Sequence, residues 1–228
     1  MTNEAGPNLV HSGLKLYLDA ANFRSYPSTG TTWTDLSNNQ NNGTLVNSPT
    51  YNSGNNGSIV FDGNNQYVDC GTTTPPSGDI SVFAWVYPTS FMSTWNVIVT
   101  KWFLPAANDF HWSLKSNLSN GTNVRQNLFT TSNSDIYGTS VFSINNWYYI
   151  GFTLVNGGLL TFYNNGNQDG TSSAVSRTVQ NSSLLISDHR SIWYGFSGKI
   201  SNVVIYNRAL LATEVLQNYN ATKGRYGL

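Results

Sequence analysis

Alternation of apolar and polar side chains in short runs is the feature that most limits how this chain can fold. In GLKLYLDA, Leu14, Leu16 and Leu18 occupy every second position, and side chains two residues apart on a strand share one face. Roughly ten such runs recur between clusters of Gly, Asn, Asp, Ser and Pro, which favour turns. The pattern predicts an all-β chain arranged as a two-sheet sandwich.

The predicted strands follow one another at regular spacing. They cover residues 13–20, 58–70 around a turn at 62–63, 80–87, 96–102, 109–115, 124–129, 147–155, 159–163, 183–186 and 199–206. Residues 22–57 are mostly polar and predict loop or short ribbon. The clearest hairpin joins WYYIGFTLV to LLTFYNNG through Asn156-Gly157-Gly158, because Asn-Gly readily adopts positive φ.

One segment near the end has helical periodicity. Residues 209–219 place Leu211, Val215, Leu216 and Tyr219 on one stripe, so they predict a short helix that caps the sandwich. The sequence has no repeat with a period of 20–50 residues, which excludes solenoids and propellers.

Composition excludes several functions. The 228 residues allow one large domain. Lys and Arg number 11, as do Asp and Glu, and charged residues make up only 10%, so nucleic-acid binding is not expected. No apolar stretch reaches about 18 residues, so membrane insertion is not expected either. Cys70 is the only cysteine, which excludes an intrachain disulfide and a cysteine-based zinc cluster.

Four segments in order resemble the LamG-like, concanavalin A-like lectin/glucanase jelly rolls. They are the GLKLYLDA strand, the FDG turn of GSIVFDGNNQYV, the WYYIGFTLVNGGLLTFYNNG hairpin and the closing FSGKISNVVIYNRALLATEV. The resemblance implies a two-sheet antiparallel jelly-roll sandwich with one short C-terminal helix. We expect a single domain over residues 13–228 after a flexible tail over residues 1–12. Spacers such as YPSTGTTWTDLSNNQNNGTL also resemble those of this domain in tailed-phage structural proteins.

The resemblance does not extend to catalysis. Glycanases of this superfamily carry paired carboxylates on one strand, because hydrolysis needs two carboxyl groups flanking the scissile bond. Here the two glutamates are Glu4 in the polar tail and Glu214 in the predicted helix, and no predicted strand carries two carboxylates on one face. We therefore expect a protein that is not an enzyme.

The resemblance also raises the question of calcium. Relatives often bind this ion through an Asp of the last strand, where this chain has Asn202. A neutral amide oxygen lacks the charge that helps affinity. His11, His111 and His189 are too scattered for a metal site. We expect no cofactor, and calcium, if Asn202 binds it, is not expected to be essential for folding.

Sugars present CH faces and hydroxyl groups, so a glycan site needs an aromatic ring beside polar groups. We predict a site across one sheet face, with Trp85 as the stacking ring and His111, Arg125 and Tyr149 beside it. Two alternatives remain open. In the first, both faces of the sheet are covered by loops or by another subunit. In the second, tryptophans of loop tips at the rim bind instead: Trp95, Trp102 and Trp193.

Together these features favour a non-catalytic phage virion surface protein, either a capsid decoration or a tail-fibre module. Its expected partners are other virion proteins, copies of itself through an uncharged aromatic surface, and host glycans. The alternative is a free-standing lectin-like carbohydrate-binding module. The N-terminus lacks a basic region followed by an apolar run, so we expect synthesis in the host cytoplasm and a final place on the virion surface.

Overall fold

The structure is a computed structural model that describes residues 8–72, 78–91, 95–103, 107–116, 125–131, 134–178, 182–187 and 195–228. Its strands are β1 (Leu14–Asp19), β2 (Thr32–Trp33), β3 (Gly43–Val46), β4 (Thr50–Asn52), β5 (Ser58–Asp62), β6 (Tyr67–Asp69), β7 (Ile80–Pro88), β8 (Trp95–Phe103), β9 (Ala107–Ser116), β10 (Arg125–Thr131), β11 (Ser134–Tyr137), β12 (Tyr148–Leu154), β13 (Gly158–Asn164), β14 (Asn167–Val175), β15 (Leu185–Ile186) and β16 (Ser197–Tyr206). One α-helix, α1 (Ala212–Thr222), is followed by a 3-10 helix at Lys223–Tyr226, and a further 3-10 turn lies at Gly54–Asn56. Within this described part, no helix has the length and apolarity that crossing a membrane requires.

The described strands form two antiparallel sheets of eight strands each. The first sheet has the order β14-β13-β12-β7-β16-β5-β4, and β1 also pairs with β16. The second has the order β11-β10-β9-β8-β15-β6-β3-β2. The prediction of an all-β, two-sheet antiparallel sandwich with one short C-terminal helix is confirmed.

The main core lies between the two sheets and takes alternate residues of each strand. From β7 it takes Ile80, Val82, Ala84 and Val86, and from β9 it takes Phe110, Trp112 and Leu114. These side chains are fully buried, and burial of a large apolar side chain such as Val, Leu, Ile or Phe stabilises the fold by roughly 1.5–3 kcal/mol. The chain therefore forms a large core without a disulfide, and Cys70 is a buried thiol.

A second cluster covers the outer face of the first sheet. Its strand residues are Leu14, Phe83, Trp85, Tyr149, Tyr163, Val204 and Tyr206, and we call this surface the tyrosine face. Val10, Leu210, Val215 and Tyr226 pack over it from the two ends of the described chain. The central strands of the first sheet are thus covered on both sides by the protein itself.

The helix differs from its prediction in position and in its buried side. It begins at Ala212, and Leu211 and Leu216 of the predicted stripe are 67% and 43% exposed. The buried residues are Val215, Asn218 and Thr222. Hydrophobic periodicity missed two of them because Asn218 and Thr222 are polar residues whose hydrogen bonds are made inside the protein.

Residues 8–12 are held against the C-terminal part of the chain. The Val10 N–H donates to Asn218 Oδ1 at 2.8 Å, and Tyr206 donates its hydroxyl to the Val10 carbonyl at 3.0 Å. Gln217 Nε2 donates to the Asn8 carbonyl at 2.7 Å. The predicted flexible tail therefore does not extend to residue 12, and residues 1–7 lie outside the described residues.

The predicted hairpin at residues 156–158 is confirmed, with Gly157 at φ 78° between β12 and β13. The sequence missed β14 and β11. β14 is polar along most of its length and is the edge strand at one end of the first sheet. Few of its side chains are buried, so its sequence lacks the alternation of apolar and polar residues that marks a strand with one buried face.

Candidate functional site

The four residues predicted to hold a glycan lie in two different sheets. Trp85 in β7 and Tyr149 in β12 are register partners in the first sheet. His111 in β9 and Arg125 in β10 belong to the second. The predicted grouping on one face is therefore corrected. Alternation shows which residues of a strand share a face, but not which sheet the strand joins.

Trp85 lies beneath the C-terminal helix and is fully buried. Its Nε1 donates to Thr222 Oγ1 at 2.7 Å. The indole stacks on Tyr226 with 4.0 Å between ring centroids and on Tyr219 with 5.8 Å. A sugar cannot reach this ring while α1 is in place. For the first sheet, the alternative of a covered face is the one observed, and the cover is the chain's own C-terminal part.

Tyr149 is also part of the tyrosine face and is 1% exposed. Its ring centroid lies 5.4 Å from those of both Phe83 and Trp85. Burial raises the pKa of Tyr149 well above its ordinary value, so the phenol stays neutral. Tyr149 is a packing residue of the first sheet.

The remaining predicted residues are described only in part. Arg125 stands opposite Ser116 in register, and Trp102 stands opposite Asn108; both side chains lie outside the described part of the structure. Trp193 lies outside the described residues altogether.

A different aromatic and polar group lies on the outer face of the second sheet. It consists of Trp95, His111, Lys115, Asp135 and Tyr137, and we call it the tryptophan–lysine cluster. His111 and Lys115 alternate along β9 with core residues, as the sequence predicts. Trp95 and Lys115 are direct cross-strand neighbours, which places Lys115 Nζ 3.6 Å from the indole centroid. This cation–π contact is worth roughly 0.5–1 kcal/mol at a surface.

Charge and hydroxyl groups of β11 complete the cluster. Lys115 Nζ forms an ion pair with Asp135, and Tyr137 donates its hydroxyl to Asp135 Oδ2 at 3.4 Å. The side chains of Lys115 and Asp135 are 14% and 31% exposed. Burial is the main cause that raises the pKa of Tyr137, so its phenol is a neutral hydrogen-bond donor. The cluster therefore offers an ammonium, a carboxylate and a hydroxyl beside one indole.

His111 lies behind Trp95 and is not part of the accessible surface of the cluster. It is 2% exposed, and its ring meets the Trp95 indole edge-on with 5.0 Å between centroids. The predicted role of His111 as a sugar contact is replaced by support of the Trp95 ring. Sequence reasoning missed Asp135 and Tyr137 because β11 was not predicted. It did not place Trp95 beside Lys115 because that contact depends on the register of β8 against β9, which the sequence does not show.

The described carboxylates are bonded within the chain. Each accepts at least one hydrogen bond from a backbone amide, a hydroxyl or a basic side chain of the protein: Asp19, Asp35, Asp62, Asp69, Asp79, Asp135, Asp169 and Glu214. They serve turns, caps and ion pairs, which is the ordinary structural use of Asp.

The residues near Asn202 do not fit a calcium ion. Asn202 is 1% exposed, and its Oδ1 accepts a hydrogen bond from the backbone N–H of Trp85 at 3.3 Å. Its register partner Asp19 binds the Arg225 guanidinium at 2.8 and 2.9 Å. Calcium needs six to eight oxygen ligands, and these two residues are already engaged. Across the described residues, no group of three or more His, Cys, Asp or Glu is placed to hold a metal.

Comparison with solved structures gives close matches of fold. The binding domain of Paraclostridial Mosquitocidal Protein 1 has a TM-score of 0.66 and 18% identity over 92% of this chain and 52% of that one. Domain 4 of AbnA, a GH43 extracellular arabinanase from Geobacillus stearothermophilus in complex with arabinotriose, has a TM-score of 0.66 and 18% identity over 91% of this chain and 98% of that one. Trypanosoma rangeli sialidase in complex with sialic acid has a TM-score of 0.68 and 14% identity over 93% of this chain and 33% of that one. The chain thus spans about half the length of the first protein, and at these identities the likeness concerns the fold alone.

Comparison of the sequence with protein-family models identifies the family. No curated protein matches the chain. The Laminin_G_3 model, which describes the concanavalin A-like lectin/glucanases superfamily, matches residues 62–216. This range covers more than half of the chain and runs from the end of β5 into α1. With its two antiparallel sheets and short C-terminal helix, the chain belongs to the concanavalin A-like lectin/glucanase superfamily.

Proposed function

We propose that this protein is a non-catalytic carbohydrate-binding module that holds glycans on the outer face of its second sheet. The observation that carries the proposal is the tryptophan–lysine cluster. It combines a half-buried indole, an ammonium, a carboxylate and a phenol within one group. A ring packs against the CH face of a sugar, while the polar groups bond its hydroxyls.

The class of ligand is supported by the similar structures. AbnA domain 4 is in complex with arabinotriose, and the Trypanosoma rangeli sialidase is in complex with sialic acid. The fold alone does not assign a function, so the proposal depends on the cluster's own chemistry.

The internal bonding of the described carboxylates supports binding without hydrolysis. Glu214 accepts two hydrogen bonds from Arg208, and Asp135 is paired with Lys115. A glycosidase needs two carboxyl groups that act on the scissile bond, and Asp135 is the one carboxylate among the described side chains of the tryptophan–lysine cluster.

The test is glycan binding by a multivalent form of the protein. A single weak site of about millimolar affinity is worth about 4 kcal/mol, and many copies are needed to detect it reliably. We expect Trp95→Ala to abolish binding on a glycan array and on polysaccharide pull-down.

Trp147→Ala is the matched control. Trp147 is also half-buried, but it packs on Tyr226 on the first-sheet side and donates Nε1 to Asn55 Oδ1 at 3.1 Å. We expect this variant to bind as the unmodified protein does. If Trp95→Ala folds normally and still binds, the proposed site is wrong.

As the biological setting we propose the surface of a phage virion, with synthesis in the host cytoplasm. This rests on the phage-like spacers and low charge of the sequence. Mass spectrometry and immunogold labelling of purified virions test it. Labelled capsids or tails are expected, and a protein absent from intact particles would exclude this setting.

Self-association is also proposed. Much of the aromatic content lies inside the fold, so this proposal is supported by the low charge of the sequence and by exposed rings such as Phe23. Sedimentation velocity at micromolar concentration tests it. An oligomer is expected, and a monomer that also fails to bind purified capsids or tails would overturn the proposal.

A further inference from the structure

A polar pocket of about 440 Å³ opens on the outer face of the second sheet, away from the tryptophan–lysine cluster. Its lining includes Gln40, Asn42, Thr44, Val46 and Asp69, and we call it the amide pocket. The volume lies within the roughly 300–1,000 Å³ of small-molecule sites. The sequence pattern assigns no role to it.

The Asp35 carboxylate holds the loop that forms one wall of the pocket. Asp35 accepts the backbone N–H groups of Tyr17, Ser37 and Asn41 at 2.9–3.0 Å. In return, the Asp35 N–H donates to Asn42 Oδ1 at 2.9 Å. A wall held in this way needs little ordering when a ligand binds, which favours affinity.

The opposite wall comes from paired strands. Thr44 of β3 and Asp69 of β6 are register partners, so their side chains share one face of the sheet. Leu45 and Val68, their neighbours in the chain, belong to the core. Thr44 and Asp69 therefore lie on the outer face.

The pocket carries polar groups that the protein does not use. Within the described residues, no protein partner bonds to the Gln40 amide, to Asn42 Nδ2 or to the Thr44 hydroxyl. All three residues are exposed. Two amides and a hydroxyl supply both donors and acceptors, which is what a ligand rich in hydroxyl groups requires.

The charge of the lining favours a neutral ligand. Asp69 is a carboxylate, and no cationic side chain belongs to the described lining. Burial, with the charges of Asp69 and Asp35, raises the pKa of the Cys70 thiol, so Cys70 contributes neither charge nor a nucleophile. An anionic sugar would meet a like charge without a compensating cation.

The pocket and the tryptophan–lysine cluster share one sheet face. A row of register partners runs from Thr44 through Asp69, Leu185 and Thr100 to His111. Three strand steps separate Asp69 from His111, about 14 Å at the usual strand spacing. Leu185, Thr100 and His111 are buried, so the pocket and the exposed part of the cluster are separate accessible regions of this face.

We propose that the amide pocket binds the non-reducing terminal unit of a neutral oligosaccharide, as a contact site separate from the tryptophan–lysine cluster. The inference rests on the proposed carbohydrate-binding function and deepens it by naming the class of sugar. The described lining has no aromatic ring, so Val46 supplies the apolar contact that a ring gives in other sugar sites. Gln40, Asn42, Thr44 and Asp69 bond the hydroxyl groups of the sugar.

The experiment is NMR titration of the isotope-labelled full chain with four probes: arabinotriose, maltotriose, mannotriose and sialyllactose. At least one neutral trisaccharide is expected to shift the backbone amides of residues 40–46 and 69–71, whereas sialyllactose leaves them unchanged. Thr44→Val and Gln40→Ala should each weaken that titration about fivefold, as loss of one hydrogen bond predicts.

Thr50→Val is the matched control, because Thr50 is an exposed strand threonine of the first sheet. It should leave the titration unchanged. Asp69→Asn keeps the shape and an acceptor for the Gly71 N–H, which now donates to Asp69 Oδ1 at 2.7 Å. This variant should admit sialyllactose.

The outcomes separate the two proposals. Shifts confined to residues 95, 111–115 and 135–137 would support the tryptophan–lysine cluster and overturn the pocket. Shifts confined to the pocket would support it and overturn the cluster as the site. Equal response to sialyllactose and neutral probes would refute the neutral class, and no shift in either region with any probe would overturn both.

Discussion

Buried hydrogen bonds hold the tyrosine face together residue by residue. Trp85 donates to Thr222, and Asn218 Nδ2 donates to the Tyr206 hydroxyl at 3.0 Å. A buried donor left without an acceptor costs about 1–3 kcal/mol. Polar residues of α1 are therefore as important to packing here as apolar ones.

The bond between Trp85 and Thr222 can be measured directly. We expect Thr222→Val to lower the free energy of unfolding by about 1–3 kcal/mol, because Trp85 Nε1 loses its acceptor. Urea denaturation measures the loss. In a Trp85→Phe background the same change should cost much less, and an equal cost in both backgrounds would contradict this role. Glycan binding by Thr222→Val should be unchanged.

A second residue-scale prediction concerns the buried Asp19. Its carboxylate is 0% exposed and also accepts the Tyr17 hydroxyl at 2.8 Å. Arg225→Met leaves that charge without its cation, so we expect a loss of about 3 kcal/mol in urea denaturation. Arg208→Met breaks the more exposed pair with Glu214 and should cost less than about 1 kcal/mol. Equal losses would show that burial of Asp19 is not decisive.

At the scale of elements, α1 depends on contacts at its first turn. Glu214 Oε2 accepts the Leu211 N–H at 2.8 Å, and Arg208 donates to both carboxylate oxygens at 2.6 and 2.7 Å. The Arg208 hydrogen bonds are the main cause that lowers the pKa of Glu214. A carboxylate near a helix N-terminus is also favoured by the helix dipole.

This contact should make the stability depend on pH. Because the pKa of Glu214 is lowered in the folded state, its contribution is present above the unfolded pKa and is lost as the pH falls through the folded pKa. We expect the unmodified protein to lose up to about 1 kcal/mol more than Glu214→Gln between about pH 6 and pH 3. Parallel pH profiles in urea denaturation would rule this out.

Element positions could be predicted from the sequence better than their partners. Alternation placed Phe110, Trp112 and Leu114 in the core correctly. It could not show that β7 and β9 lie in different sheets, so Trp85 and His111 were grouped wrongly. Pairing depends on contacts between residues far apart in the chain, which local periodicity does not encode.

The candidate sites were harder to predict than the strands. The sequence placed Lys115 and His111 on the correct face of β9. It did not predict β11, the short strand from which Asp135 contacts Lys115. The amide pocket joins the loop near residue 40 to Asp69. Only the pairing of β3 with β6 brings these together.

At the scale of the whole molecule, the aromatic content has an internal explanation. Aromatic residues make up 14% of the chain, and many are enclosed in the main core or under α1. The largest fully buried rings include Trp33, Trp85, Trp112, Tyr149 and Tyr206. The fold itself thus uses much of the aromatic surface that the sequence analysis assigned to an interface.

The fold as a whole is expected to be independent of calcium. Arg225 already neutralises Asp19, and Asn202 Oδ1 is bonded to the backbone. A chelator should therefore change the melting temperature by less than about 2 °C, since only a ligand bound to the folded state adds stability. A fall of more than about 10 °C would imply several kcal/mol of metal linkage and refute this expectation.

The attachment of residues 8–12 to α1 also has a geometric consequence. Both ends of the described chain lie on the first-sheet side, whereas the tryptophan–lysine cluster and the amide pocket lie on the opposite side. Any tether joined at either end of the described chain would leave the surface proposed to bind sugars pointing away from its support. Copies displayed side by side would then present their weak sites in one direction, the arrangement in which avidity grows with copy number.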